Sequence, residues 1–257
     1  MNYMMKCKIY DIHATVATFG SVCQSGCAPK TLEIAVLDRP EEAETIGDDG
    51  YRRIRSDIIF GKLRPAQKLR LDGLKETYGV SVSTLREILS RLSSEGLVLA
   101  EGRRGFEVAP VSAGDLKELA GLRLLLESHA MEQSFARGDV EWEGRVVSAH
   151  HKLAATERGM SSKKANQPLW KRYDGEFHQA LISSCGSRAL MEAHAAVFDK
   201  YFRYLILALS YRGDIVPRQH QQLLECALKR DAARAKTVLS AHITECVDHA
   251  VEAGQLR

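Results

Sequence analysis

Four side chains in the second half of this chain are spaced to share a metal ion. Asp174 and His178 stand at i and i+4, on one face of a helix with backbones about 6 Å apart. His220 and His242 are 22 residues apart, and one continuous helix would separate them by about 33 Å. A helical hairpin removes that distance. Asp231 lies 11 residues from each histidine and follows Lys229-Arg230, where it is a good N-cap for a returning helix. One carboxylate and three imidazoles would then fill four positions of an octahedral ion, leave two open, and suit zinc, nickel, manganese or iron. On spacing alone the other reading stands beside this one. Histidine is not scarce here, since His13, His129, His150, His151, His194 and His249 are also present.

A second set of residues suits a different partner. Ser81 can cap a helix whose apolar positions Leu85, Ile88, Leu89 and Leu92 recur at helical spacing. Ser83, Thr84, Arg86 and Glu87 are left for solvent, phosphate and base edges. Gly96 stops that helix. Leu97 to Ala100 and Phe106 to Val108 are short apolar runs joined by Glu101-Gly102-Arg103-Arg104-Gly105, a hairpin with two arginines at its tip. A helix for the major groove with a basic hairpin near the minor groove is the winged helix-turn-helix way of holding a duplex. Arg70, Ser81, Ser83, Thr84, Arg86, Arg103, Arg104 and Gly105 form the expected DNA-facing set. Ordinary solvated arginines are the plain alternative, but these fall at the two places where such a fold meets DNA. Charge agrees: residues 51–111 hold 12 Lys and Arg against 7 Asp and Glu, whereas residues 1–50 hold 4 against 8. The basic excess lies where phosphate neutralisation requires it.

Elements must hold both sets in place. At 257 residues the chain suits two domains, and 45% hydrophobic content is enough for packed cores. Tyr51 to Phe60 carries Ile54, Ile58 and Ile59 on one helical face, Gly61 to Pro65 is a turn, and Leu71, Leu74 and Tyr78 mark a second short helix. Gly79 turns the chain into the recognition helix. Residues 48–111 are thus expected to form the DNA reader. Residues 1–47 read as a flexible extension, with Arg39 to Gly50 acidic and rich in small residues. Asp11 and His13 interrupt the mildly apolar Ala14 to Val22 region, which argues against a signal peptide. No run of 18 apolar residues could span a bilayer. A cytoplasmic protein with free thiols is expected. Cys23 and Cys27 lack a second Cys or His pair at finger spacing.

From Ser112 to residue 253 the pattern is all-helical, a bundle with no strand-like alternation. Ser112 to Asp115 opens a long helix whose apolar line runs through Leu116, Leu119, Leu122, Leu126 and Ala130. Further helices are expected over 139–158, 166–185, 187–211, 215–229 and 231–253. Arg123 falls inside the first stripe, where a guanidinium needs an anionic partner: a bound carboxylate, or Glu127 at i+4. Arg203 and Tyr204 on a later helix are further candidates for lining a pocket.

The first set of motifs resembles the GntR family of bacterial transcription regulators. The match rests on Gly61-Lys62-Leu63-Arg64-Pro65, Gly79-Val80-Ser81, Leu85-Arg86-Glu87-Ile88-Leu89, Glu95-Gly96-Leu97-Val98 and Arg104-Gly105-Phe106 with Val108. Two positions depart: Ala66 stands where the family usually has Gly, and Val82 where it often has a base-contacting Arg. Valine cannot donate to guanine but can touch a thymine methyl. Residues 112–253 resemble the helical FCD effector domain of FadR-type members, through Asp174-Gly175-Glu176-Phe177-His178, His220-Gln221-Gln222-Leu223-Leu224, Asp231 and His242-Ile243. That resemblance implies a divalent metal on Asp174, His178, His220 and His242, and an effector-contacting arginine at Arg123.

The combined expectation is a mainly α, ligand-responsive regulator and not an enzyme. It is expected to be a homodimeric repressor reading a pseudo-palindromic operator, with no membrane partner. Zinc is the first choice of metal, and a small carboxylate effector is expected on it, contacted by Arg123 and Arg203. The rivals are a direct metal sensor and a helical-bundle metalloenzyme, the latter without a persuasive base or nucleophile.

Overall fold

The computed structural model describes residues 45–100, 102, 105–160, 166–207, 212–254 and 256. The expectations for residues 1–44, for Cys7, Cys23 and Cys27, for Arg103 and Arg104 at the wing tip, and for 208–211 lie outside the described residues.

The first helix begins earlier than its apolar spacing marks. Thr45 accepts from the Asp48 amide and opens α1 (Ile46–Ile59), with Asp48 and Asp49 in its first turn. The acidic residues that read as linker therefore stabilise the positive end of a helix dipole. Strand β1 (Lys68–Leu69) precedes α2 (Leu71–Tyr78), which ends at Gly79 in the left-handed conformation, φ 69°. Ser81 then caps α3 (Val82–Ser94) by accepting from the Thr84 amide at 3.2 Å. Strands β2 (Val98–Ala100) and β3 (Phe106–Val108) make the wing. The sheet is antiparallel in the order β1-β3-β2, with Val98 opposite Val108 and Lys68 opposite Glu107. Two residues are too few to show a period, so β1 is invisible in the sequence. Ile54, Ile58, Leu85, Leu89, Leu92 and Val108 are fully buried together.

Six helices follow: α4 (Ala113–Arg137), α5 (Val140–Glu157), α6 (Gln167–Ile182), α7 (Arg188–Leu207), α8 (Ile215–Leu228) and α9 (Ala232–Glu252). Side-chain caps start most of them. Ser112 accepts from Asp115, Asp139 from Trp142, Asn166 from Leu169 and Asp231 from Arg234. The fold-back at Asp231 is present, with Arg230 taking φ 58° between α8 and α9. A core of Trp142, Phe177, Tyr201, Leu223 and Leu239 fills the bundle. The line on α4 differs from expectation. Leu122 is 44% exposed, and the buried row is Leu116, Ala120, Arg123, Glu127, Ala130 and Ser134. Two opposite charges that satisfy each other take the centre of the face, and the leucines beside them turn outward.

No helix among the described residues is long and apolar enough to cross a membrane. Cys185, Cys226 and Cys246 are buried free thiols.

Reader and bundle meet along α1 and α7. Arg55 bridges them, donating from Nε to Glu95 at 2.9 Å and from Nη2 to Asp199 at 2.7 Å. Ile59, Phe198 and Phe202 form a small apolar cluster beside that pair.

Candidate metal centre and DNA-facing surface

The two histidines on α8 and α9 reach the two ligands on α6 because Asp231 ends one helix and caps the next. One potential ligand atom from each of Asp174, His178, His220 and His242 lies within 4.8 Å of the others, and all four residues are buried. Bonds of 2.0–2.1 Å to one ion place opposing ligands about 4 Å apart, so modest closure suffices. The His178 and His220 ring centroids are 5.6 Å apart, and those of His220 and His242 4.9 Å.

The outer nitrogens decide what the inner ones do. His178 Nδ1 faces the Glu127 carboxylate in a very short contact, His220 Nδ1 lies 2.7 Å from Glu157, and His242 Nδ1 lies 3.1 Å from Gln219 Oε1. Each acceptor holds a proton on Nδ1, which leaves Nε2 as the nitrogen open to a metal once deprotonated, the arrangement found around metal-ligating histidines. His178 Nε2 and His220 Nε2 are buried without a hydrogen-bond partner, although Asp174 approaches the latter at 3.3 Å. Buried polar atoms left this way are costly unless something binds them. The donor set therefore fits a divalent ion.

Charges around the cluster are uneven. Burial works against ionising Glu127 and Asp174, yet Arg123 and His178 beside Glu127, and Lys171 and His220 beside Asp174, hold both carboxyls well below their usual range. Burial and the neighbouring His220 and His178 push His242 far down, and burial also lowers His178 against the pull of Glu127. His220 goes the other way. Burial opposes its charge, but the Asp174 carboxylate at 3.3 Å and the Glu157 carboxylate that accepts from Nδ1 push it up to about 9.

Arg123 is 1% exposed and takes Glu127, one of the two partners that its sequence position offered. Its Nε donates to Glu127 at 2.8 Å, while Nη2 is buried with no partner. The plain ion pair exists, and one prong of the guanidinium stays available. The pair also has a second duty, because Glu127 is what orients His178. Phe198 lies 4.5 Å beneath the Arg123 guanidinium and 5.7 Å from the His178 ring. Gly175 admits it: a Cβ there would stand 3.3 Å from the Phe198 ring.

Arg203 corrects its expected placement. It is 3% exposed and donates to the Ala109 carbonyl in the connector between wing and bundle. Tyr204 reaches Asp115 at 3.4 Å. Both side chains fasten the start of α4, and Arg203 Nε stays buried without a hydrogen-bond partner. Glu157 and Gln219 were not anticipated as histidine partners, and neither was the buried Lys171, 4% exposed. A carboxylate at the end of an amphipathic helix and a glutamine beside a histidine carry no distinctive spacing.

On the reader, Ser83 and Arg86 are exposed on α3, Thr84 is half-buried, and Ser81 is occupied in capping. Arg70 is exposed at the N-terminus of α2. Gly105, at φ 102°, shapes the approach to β3. Val82 is the first residue of α3 and half-buried.

Comparison with known proteins identifies both parts of the chain. Residues 48–108 match the family "Bacterial regulatory proteins, gntR family", and residues 118–245 match the FCD domain. The HTH-type transcriptional regulator BphR of Paraburkholderia xenovorans is 36% identical over 210 residues, covering 80% of this chain and 86% of its own. The HTH-type transcriptional repressor GlaR of Escherichia coli is 34% identical over 201 residues, covering 76% of this chain and 91% of its own. Among solved structures, McbR/YncC of E. coli shares the fold, with a TM-score of 0.67 at 17% identity over 81% of this chain and 98% of that one. BphR is thus named as an HTH-type transcriptional regulator and GlaR as an HTH-type transcriptional repressor. With a gntR-type reader followed by an FCD domain, this chain belongs to the GntR family of transcriptional regulators.

Proposed function

We propose that this protein is a homodimeric repressor whose effector domain holds a divalent metal, zinc first among candidates, and releases operator DNA when a small carboxylate binds there. The observation that carries the reading is the buried cluster of three histidines and Asp174, in which every histidine Nδ1 is engaged by an outer partner and one ligand atom from each residue lies within 4.8 Å of the others. A bound ion supplies Lewis acidity and open positions for a carboxylate oxygen. The chain's own part is positioning: Glu127, Glu157 and Gln219 fix the rings, and Arg123 Nη2 is placed to donate to an anion arriving beside them. On the DNA side, Arg86, Ser83, Arg70 and the wing arginines Arg103 and Arg104 would contact the duplex, with two readers on the half-sites of a pseudo-palindrome. The repressor sign is borrowed from GlaR, which is so named.

The test is fluorescence anisotropy of an operator duplex selected from random sequence. Zinc-loaded protein should release it on adding short carboxylates, and zinc-stripped protein should ignore them. Arg123→Lys should respond only in part, because an ammonium lacks the planar two-pronged contact, with inducer affinity falling about ten- to a hundred-fold. Arg86→Ala should weaken operator binding in every state. Full release of the zinc-stripped protein would reject the metal's role.

A further inference from the structure

Between the reader and the bundle lies a cavity of about 760 Å³ that is separate from the metal cluster. Asp174, His178, His220, His242 and Arg123 are all absent from the described residues that line it. One wall is the end of α1, with Arg55, Ile59 and Phe60, and the other is α6 and α7, with Lys171, Phe198 and Phe202. Its size lies within the range of about 300–1,000 Å³ typical of small-molecule sites. The surface is mostly apolar. Ile59, Phe198 and Phe202 pack together, and Phe60 stands edge-on to Phe202 with ring centroids 6.2 Å apart. Rings set at an angle offer both a face and an edge to another flat ring.

The charged walls are unequal. Arg52, Arg55, Lys171 and Arg172 line the cavity, and Asp199 is the one carboxylate among the described lining residues. Three of these cations have carboxylate partners: Arg52 has Asp49 at 3.4 Å, Arg172 has Glu176 at 2.9 Å, and Arg55 holds both Glu95 and Asp199. Lys171 differs. It is 4% exposed, forms no ion pair among the described residues, and lies against ring faces, Trp170 at 4.3 Å and Phe202 at 4.7 Å. Lysine is seldom buried unless paired, and aromatic faces return only part of the hydration a charge loses. The cavity is the space from which an anion could reach this ammonium.

We propose that this junction cavity is a second small-molecule site, for an amphipathic organic anion whose flat apolar body lies among the phenylalanines and whose single acidic group meets Lys171. The site does not depend on the metal reading. A neutral molecule of the same shape leaves the ammonium as it stands, between two rings. An anion adds a charge-assisted contact, a difference on the order of tenfold or more in affinity. Its occupant touches α1 of the reader and α6 and α7 of the bundle at once, and so braces the junction that Arg55 bridges.

The experiment is calorimetric titration of the full-length protein, zinc-loaded and zinc-stripped, with 2-naphthalenesulfonate and with 2-naphthol. The two share one apolar body, the second is neutral at pH 7, and a sulfonate is a weak metal ligand. The sulfonate should bind tenfold or more tightly than the naphthol, with an affinity that zinc changes by no more than about twofold. Lys171→Met should bring the sulfonate down to the level of the naphthol while leaving the naphthol unchanged, and Lys171→Gln should behave alike if methionine perturbs packing. Ala195→Phe, which fills the cavity from α7, should weaken both probes tenfold or more. Circular dichroism checks that each variant keeps its helices. Equal affinity for the two probes, a preference surviving in both Lys171 variants, or undiminished binding to Ala195→Phe would overturn the proposal. Sulfonate binding that requires zinc would also overturn it, by placing the anion at the four-residue cluster instead.

Discussion

His220 carries the clearest pH signature of any single residue. Its pKa rises to about 9 in the metal-free fold against about 6.5 in an unfolded chain. A raised value means that the stabilisation is fully present below pH 6.5 and is lost as pH climbs through 9. For a side chain with no exposure, the shift corresponds to on the order of 3 kcal/mol. Metal-stripped wild type should therefore lose its advantage over His220→Gln between pH 6.5 and 9, measured by urea unfolding across that range. A difference that stays flat would mean that Asp174 and Glu157 do not hold the proton. His178 and His242, both lowered, act oppositely, and the unfolded chain takes up their protons below pH 6.5, eroding stability in acid. Metal must displace the His220 proton, so loading should strengthen as pH rises. The four inward residues were legible in the sequence because covalent spacing places them: i and i+4 on α6, and equal arms about Asp231. Their outer partners were not. Glu127, Glu157 and Gln219 come from three helices whose mutual register no local pattern fixes, and Glu127 was visible only as a partner for Arg123.

At the scale of elements, the helices of both domains were legible from apolar spacing, and their caps Ser81, Ser112 and Asp231 work as their residue types dictate. Errors fell where charge or brevity hides the period, at the start of α1, at β1, and on the face of α4 where Arg123 and Glu127 displace Leu122. The turn before β1 explains one departure from relatives. Ala66 has φ 59°, a left-handed conformation that glycine adopts freely and alanine does not. Its amide donates to the Val108 carbonyl at 3.0 Å, so the turn is held against β3 and cannot relax. Ala66→Gly should stabilise the protein by about 1 kcal/mol, raising the melting temperature by a few degrees in a thermal scan. A loss of stability would show that the greater freedom of glycine in the unfolded chain outweighs relief of strain.

For the molecule as a whole, the junction is held by few groups, and they are of mixed kind. Arg55 joins the end of α3, through Glu95, to α7, through Asp199. Arg203 ties α7 to the connector at Ala109. Arg55→Met removes the bridge without touching the four-residue cluster or the exposed face of α3. It should leave zinc content unchanged and operator affinity within a few-fold, while shrinking the change in operator affinity that a bound acid produces. Anisotropy titrations with and without acid measure that change, and an undiminished response would place the coupling elsewhere.

Phe198 belongs to two neighbourhoods at once, the Ile59 cluster under the reader and the Arg123–His178 corner of the four-residue cluster. A ring shared in this way transmits in both directions. If an acid at the metal loosens operator binding by some factor, operator DNA must loosen acid binding by the same factor, because coupling free energy has no preferred direction. Copies seated on promoters would then respond at higher acid concentrations than copies free in solution. The switching threshold of a regulated gene would depend on how tightly its own operator is held, and one protein would serve a graded series of promoters with a single sensor.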